Sequence, residues 1–160
     1  MYKGHEIAVH TLTRQDLIKL DKDTVYNEVF LDKQNLERMF GCQITGMAYP
    51  YGTYNNEVVQ ILKKCKIQYA RSVVSSGAFK LQKNLLIFKP TCHHADENIW
   101  ELLEKFLKEK SEEKQLFYIW GHSYEFDVNN NWKRMEEILD RLIGHNNIFY
   151  GTNREVLLPC

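Results

Sequence analysis

The sequence lacks the features that mark several large classes of protein. It has no run of about 18 apolar residues, so it predicts no membrane-spanning helix. Lysine plus arginine (21) equals aspartate plus glutamate (21), and without a basic excess we expect no nucleic-acid partner. No secretory signal peptide, with basic residues followed by an apolar stretch, precedes the first predicted element. We therefore expect a cytoplasmic protein if Met1 is the native start.

Closely spaced cysteines are also absent. The four cysteines are Cys42, Cys65, Cys92 and Cys160, and no two of them form a C-x-x-C pair. This spacing argues against a zinc ribbon or a thioredoxin-like motif. We expect free and mostly buried thiols, as in proteins of a reducing compartment.

What the sequence does contain is an alternation of short apolar runs and amphipathic stretches. The helices are predicted over 12–20 (capped by Thr13), 23–41, 55–65, 95–110 and 130–144, and the strands over 5–9, 44–49, 67–74, 85–90, 115–122 and 147–152. Alternating strands and helices predict an α/β fold with a largely parallel sheet. No repeat or linker interrupts the pattern, so a single domain over residues 1–160 is expected.

Reactive side chains follow four of the predicted strands. His10 follows the first, "YPYG" the second, "CHH" the fourth and "GHSYEFD" the fifth. Sites in parallel α/β folds form at the carboxyl ends of strands. The four clusters therefore predict a functional site along the edge of the sheet where the strands end.

Two of these clusters come early in the chain. His10 can ligate a metal, act as a base or close a loop. The loop "MAYPYGTYNN" offers Tyr49 and Tyr51 around Pro50, and tyrosine rings suit a sugar, while backbone N–H groups suit an oxyanion. A turn that only closes one end of the sheet is the alternative for this loop.

The two later clusters contain the remaining histidines of interest. His93 and His94 stand beside Cys92 and Asp96, either as metal ligands or as a loop that begins the next helix. His122 follows a buried aromatic strand and precedes Glu125 and Asp127. A histidine oriented by a carboxylate suits a general acid.

Aromatic and basic side chains complete the predicted site. Trp120 and Tyr124 are candidates to line a small apolar pocket near His122. Arg71, at another strand end, could orient a carboxylate such as Asp127 or Glu125 through two hydrogen bonds. A surface position is the alternative for Arg71.

In this order the motifs resemble the polysaccharide deacetylase family, whose members are chitooligosaccharide-deacetylase-like metal hydrolases. "GHEIAVHTLTR" is similar to its H-[S/T]-x-x-H motif, "AYPYG" in part to R-x-P-Y-G, and "FYIWGH" to its last motif. The resemblance implies a distorted or incomplete (β/α) barrel. It also implies a divalent metal such as zinc and a carbohydrate substrate that carries acetyl groups on nitrogen or oxygen.

The resemblance also implies residue roles. It makes His10 a metal ligand, Tyr51 the residue of the oxyanion loop and His122 the acid that protonates the leaving group. His93 and His94 are weaker metal candidates, for a replacement site that one of them would form with His10 and His122. Tyr49, Pro50, Trp120, Tyr124, Arg71, Glu125 and Asp127 would then contact the substrate.

Three departures from the family pattern bear on activity. No T-F-D-D-G motif, which holds the base and a metal-binding aspartate, precedes "GHEIAVHT". Arg14 stands where a second histidine ligand is expected, and a guanidinium has no lone pair. Ala48 stands where the family has arginine. The missing first motif predicts a member that is truncated at its N-terminus, and Arg14 leaves His10 as the one remaining ligand of the expected metal triad.

Three functional hypotheses follow. The first is a metal-dependent deacetylase of weak or no activity. The second is a carbohydrate-binding relative without catalysis. The third is a fragment that is completed by an upstream segment or by a second chain, with oligomerisation through an exposed sheet edge.

Overall fold

The structure is a computed structural model that describes residues 2–158. The helices are α1 (Lys22–Phe40), α2 (Asn56–Lys64), α3 (Ile99–Lys108), α4 (Ser123–Val128), α5 (Trp132–Leu142) and α6 (Asn153–Leu157). The strands are β1 (Gly46–Ala48), β2 (Tyr69–Arg71), β3 (Cys92–His93) and β4 (Ile119–Trp120). Within residues 2–158, no helix combines the length and the apolar character needed to cross a membrane.

These elements divide into two compact units. Unit 1 takes in Gln82–Lys89 and, of the described residues, 2–73 and 150–158; unit 2 consists of Val74–Leu81 and Pro90–Phe149. Each unit contains one two-stranded parallel sheet, β1 with β2 in unit 1 and β3 with β4 in unit 2. The mixed α/β class is confirmed. A barrel is not, because the described strands form only these two small sheets.

Unit 1 is held by α1 and α2 packed over the parallel pair β1–β2. Asp21 begins α1, because its carboxylate accepts the backbone N–H groups of Asp23 and Thr24, and Gly41 ends it in the left-handed conformation. Asn55 caps α2 through the Val58 N–H. The predictions of both helices are confirmed.

Unit 1 corrects four sequence predictions. The strand over 5–9 is reduced to one bridge from Val9 to Met47, and the helix over 12–20 to a 3-10 turn at Leu17–Lys19. The strand over 85–90 is a 3-10 turn at Leu85–Ile87 followed by one bridge from Phe88 to Arg71.

The fourth correction concerns the predicted last strand, 147–152. No strand forms there, because Thr152 caps α6 instead. The Thr152 hydroxyl accepts the Glu155 N–H, and the Glu155 carboxylate accepts the Thr152 N–H. This reciprocal arrangement is a capping box.

Unit 2 buries a smaller core between its helices and β3. Cys92, Ile99, Leu103 and Ile138 are its fully buried members. The predicted helices over 95–110 and 130–144 are confirmed as α3 and α5. The segment "SYEFDV", for which no helix or strand was predicted, forms the short helix α4.

Candidate functional site

In unit 1, His10 lies directly beyond a parallel backbone pairing. The Val9 N–H donates to the Gly46 carbonyl, and the Ala48 N–H donates to the Val9 carbonyl, both at 2.9 Å. The His10 Nδ1 is 2.7 Å from the Ala48 carbonyl oxygen. Because a carbonyl oxygen only accepts, Nδ1 carries the proton and the ring is fixed in one orientation.

The segment after His10 has an unusual backbone. Thr11 and Arg14 have φ angles of 68° and 56°, in the left-handed region that is unfavourable for side chains with a Cβ. The Thr13 N–H and hydroxyl both donate to the Glu28 carboxylate, at 2.8 and 2.7 Å. Helix α1 therefore holds this segment in place through Glu28, and such strain is typical of functional loops.

The Tyr51 loop follows β1 and shows the same feature. Tyr51 has φ 56° and Gly52 has φ 72°, and a Cβ at Gly52 would lie 2.3 Å from the Val73 side chain. The turn is closed by the Gly52 N–H to the Tyr49 carbonyl and by the Thr53 N–H to the Pro50 carbonyl. Neither bond uses the Tyr51 N–H, and the Tyr51 side chain is 61% exposed.

Tyr49 and Pro50, which were predicted to contact substrate, are buried in unit 1. Tyr49 is 1% exposed, its ring stacks on Tyr54, and its hydroxyl donates to the Leu86 carbonyl at 2.7 Å. Burial raises the pKa of the Tyr49 hydroxyl. In this position Tyr49 supports the loop from inside the core, and a role in direct substrate contact stays a prediction.

Removing the Tyr49 hydroxyl tests this supporting role. We expect Tyr49→Phe to lower the free energy of unfolding by about 1–3 kcal/mol, because the buried Leu86 carbonyl loses its donor. Urea unfolding followed by circular dichroism measures this change. Tyr54→Phe is the matched control, since it keeps the stacked ring, and an equal loss in the control would contradict the role of the Leu86 bond.

In unit 2, the ends of β3 and β4 bring three histidines together. His93 is paired with Trp120 across the sheet, and the His94 N–H donates to the Trp120 carbonyl at 2.9 Å. A Cβ at Gly121 would lie 2.0 Å from Cδ2 of His94. Gly121 thus allows the His94 ring to lie directly against the backbone of the neighbouring strand end.

Glu125 is the centre of this cluster. Its Oε2 lies 2.7 Å from His94 Nε2 and 3.2 Å from His93 Nε2, and its Oε1 lies 3.3 Å from His122 Nδ1. Oε2 also accepts the His122 backbone N–H at 3.0 Å. Burial raises the pKa of Glu125, but the hydrogen bonds from His94 and His122 outweigh it and hold the pKa at about 2. Glu125 is therefore an anion at neutral pH.

The histidine rings differ in their surroundings. His94 is 2% exposed, and its Nδ1 has no hydrogen-bond partner among the described residues. Burial, and then the neighbouring His94, lower the pKa of His93. His122 starts α4 and is half-buried, with its ring 5.3 Å from that of Tyr124.

The other predicted site residues have varied positions. The edge of Trp120 meets the His93 ring at 4.5 Å between centroids, whereas Tyr124 is 58% exposed. The Asp127 carboxylate accepts the Trp132 indole N–H at 2.7 Å. Arg71 ends β2 in unit 1 and donates to the Ser72 carbonyl. Its pairing with Glu125 or Asp127 stays a prediction.

Two features of this cluster were not found by sequence reasoning. Glu125 was predicted as a substrate contact and as a carboxylate that orients His122, but not as a partner shared with His93 and His94. Its position in "HSYE", three residues after the helix-capping position, was an available signal. Arg134 was missed altogether: its guanidinium donates to the carbonyls of His94 and Asp96, at 3.0 and 2.7 Å.

Comparisons with known proteins agree with the motif resemblance. Residues 1–70 match a family model described as polysaccharide deacetylase. The resemblance to this family is confirmed over that segment. A search of curated proteins gave no match.

Three solved structures are similar to parts of the chain. The Streptococcus pyogenes deacetylase PplD, in complex with acetate, is 24% identical over 41% of this chain and 29% of its own, with a TM-score of 0.41. A Bacillus cereus polysaccharide deacetylase is 28% identical to this chain, and the match covers 44% of this chain and 22% of the Bacillus cereus protein, with a TM-score of 0.41. A family 4 carbohydrate esterase from Streptomyces lividans, in complex with acetate, is 13% identical to this chain. The match covers 83% of this chain and 59% of the esterase, with a TM-score of 0.49. The chain thus spans less than a third of the first two relatives and about three fifths of the third.

The divalent metal that the family implies does not fit the residues at His10. Of the H-x-x-x-H pair, only His10 is a donor. Arg14 occupies the other position, with its guanidinium 6.0 Å from the centre of the Tyr51 ring. A guanidinium has no lone pair and repels a cation. One imidazole is too few ligands for a tight zinc site.

Proposed function

We propose that this chain, whose residues 1–70 are of the polysaccharide deacetylase family, is a carbohydrate deacetylase-type hydrolase. Its substrate would be a sugar polymer with acetyl groups on amide or ester positions, and its activity as a separate chain would be weak or absent. The observation that carries this proposal is the family match, which includes both strained loops, at His10–Arg14 and at Tyr51.

Each predicted catalytic residue has a role that its local geometry supports. The Tyr51 N–H is outside the turn hydrogen bonds and could stabilise the oxyanion of a tetrahedral intermediate. His122, whose Nδ1 faces the Glu125 carboxylate, could donate a proton to the leaving group. The weak activity follows from Arg14, because the usual pair of histidine ligands is incomplete.

A carbohydrate-binding protein without catalysis is the second candidate. It is favoured by the same Arg14, which lies over the Tyr51 ring, and by the exposure of Tyr51 and Tyr124. Exposed tyrosine rings can pack against sugar rings in the absence of a metal. On this alternative the chain binds glycans and Tyr51→Ala abolishes binding, while no acetate is released.

Acetate release separates the two candidates. The purified chain is incubated with acetylated chitooligosaccharides and with acetylated xylan, each with and without zinc, cobalt or nickel. For the hydrolase we expect slow acetate release that falls at least about 100-fold in His122→Ala, which is the usual range for the loss of a general acid. His145→Ala is the matched control, because this histidine of unit 2 is exposed and its Nε2 donates to the Arg141 carbonyl, away from the Glu125 cluster.

The outcomes are distinct. Release that depends on His122 supports the hydrolase. Glycan binding measured by calorimetry, without release, supports the second candidate. If the chain neither binds nor deacetylates any of these glycans, both candidates are wrong.

A further inference from the structure

The cluster in unit 2 contains the donor set of a metal site that is separate from the family's His10 position. His93, His94 and Glu125 each offer one ligand atom, and these three atoms all lie within 4.8 Å of one another. His94 is buried, and the other two are half-buried. Two imidazoles and one carboxylate are a donor set that proteins use for zinc while keeping a fourth position open.

The distances within the cluster are close to those around a small cation. Zinc–ligand bonds of about 2.0–2.2 Å in a tetrahedron separate neighbouring ligand atoms by about 3.3 Å. The distances from Glu125 Oε2 to His93 Nε2 and His94 Nε2 are 3.2 and 2.7 Å. His94 Nε2 would move about half an ångström away from Oε2 to reach this tetrahedral separation, and His93 Nε2 is already close to it.

The surrounding chain holds two of these ligands in place. The His94 backbone is bonded on both sides, through its N–H to Trp120 and through its carbonyl from Arg134, and its ring lies against Gly121 and Phe126. Ligands fixed in this way lose little freedom on binding an ion, and such supporting contacts are a common feature of metal sites.

Glu125 is held equally firmly. It belongs to the first turn of α4, where its Oε2 accepts the His122 N–H. Its Oε1 faces His122. An ion on Oε2 would replace the two imidazole N–H groups and leave both of these His122 contacts intact.

Metal binding requires a tautomer change at both His94 and His93. His94 Nε2 lies 2.7 Å from the Glu125 carboxylate and carries its ring proton, so ligation through Nε2 moves that proton to the buried Nδ1. The His93 Nδ1 accepts the Ala95 N–H at 3.1 Å, so the ring proton of the neutral form is on Nε2. Ligation through Nε2 moves that proton to Nδ1, and the Ala95 N–H then turns to solvent. Ala95 is exposed, so water can replace the lost bond.

We propose that His93, His94 and Glu125 form a site in unit 2 for a zinc-like divalent cation. Imidazole ligands favour zinc, cobalt and nickel over magnesium and calcium, which prefer oxygen ligands only. The proposal does not depend on acetyl hydrolysis, and it is tested without an activity assay.

Equilibrium dialysis of the full chain with zinc is the first test. We expect one zinc ion per chain, with affinity lowered at least about 100-fold in both His93→Ala and Glu125→Gln, since even the loss of an outer contact commonly costs 10–100-fold. His145→Ala and His10→Ala are expected to bind as the unchanged chain does. Circular dichroism checks that the variants fold, and the half-buried His93 is the variant expected to tolerate substitution best.

A second measurement identifies the ligands directly. Long-range ¹H–¹⁵N spectra of the histidine rings are expected to show His93 and His94 bound through Nε2 in the presence of zinc. The ring protons of His93 and His94 should both be on Nδ1, and the Ala95 amide should shift. No zinc binding, binding that survives both variants, or binding lost in His10→Ala would each overturn the proposal.

Discussion

Replacing Gly121 with alanine is expected to destabilise unit 2 by about 3 kcal/mol, at the upper end of the usual range for overpacking. The added Cβ would lie 2.0 Å from Cδ2 and 2.8 Å from Nε2 of His94. The ring has little room to move away, because it is buried, bonded to Glu125 and packed against Phe126. Either the ring gives up its bond to Glu125 or the two strand ends separate.

The tryptophans of this chain allow unit 2 to be followed by itself. All three, Trp100, Trp120 and Trp132, belong to unit 2. Urea unfolding monitored by tryptophan fluorescence therefore measures the stability of that unit. Gly77→Ala is the matched control, since Gly77 has φ 60° with open space around it, and only the backbone cost of about 1–2 kcal/mol is expected there. An effect of Gly121→Ala no larger than that of the control would mean that the ring contact is not important.

Truncation of Leu62 to alanine is expected to destabilise unit 1 by about 2–5 kcal/mol, the range measured when a fully buried leucine leaves a cavity. Leu62 is 0% exposed and belongs to the core cluster that also contains Val29 of α1 and Met47 of β1. Its side chain lies on the buried face of α2. The loss is expected to affect the elements that share this core.

Amide hydrogen exchange measures this effect in unit 1. The protection of the α1 and α2 amides should fall together, because both helices pack on the same core. The adjacent Lys63 is exposed, so Lys63→Ala is expected to change the stability by less than about 0.5 kcal/mol. Unchanged protection in Leu62→Ala would contradict the assignment of Leu62 to the core.

Local signals predicted the four longer helices, α1, α2, α3 and α5, but not α4 and α6. Asn55 and Gly41 were predicted from residues within one turn of the helix end. In the structure, Asn55 caps α2 and Gly41 ends α1, as predicted. The strands were predicted too long, since strand formation depends on pairing with distant segments. The apolar run 115–122, for example, pairs with β3 only at Ile119 and Trp120.

The site was predictable only in part for the same reason. The sequence indicated that His10 and His122 follow strands. His122 comes shortly after β4, whereas His10 follows only the single bridge at Val9. The sharing of Glu125 by three histidines needs β3, β4 and α4 to meet, which no local pattern encodes. The same holds for Arg134, which donates to the chain 38 and 40 residues earlier.

The left-handed backbone at Thr11, Arg14 and Tyr51 has a consequence for protein engineering. Glycine adopts these angles without steric cost, so glycine substitutions there relieve an unfavourable conformation that the present side chains maintain. Searches for heat-resistant variants would select such substitutions, and the same changes would remove the groups that the two loops display. Stability and activity are therefore expected to trade off at these three positions more sharply than elsewhere in unit 1.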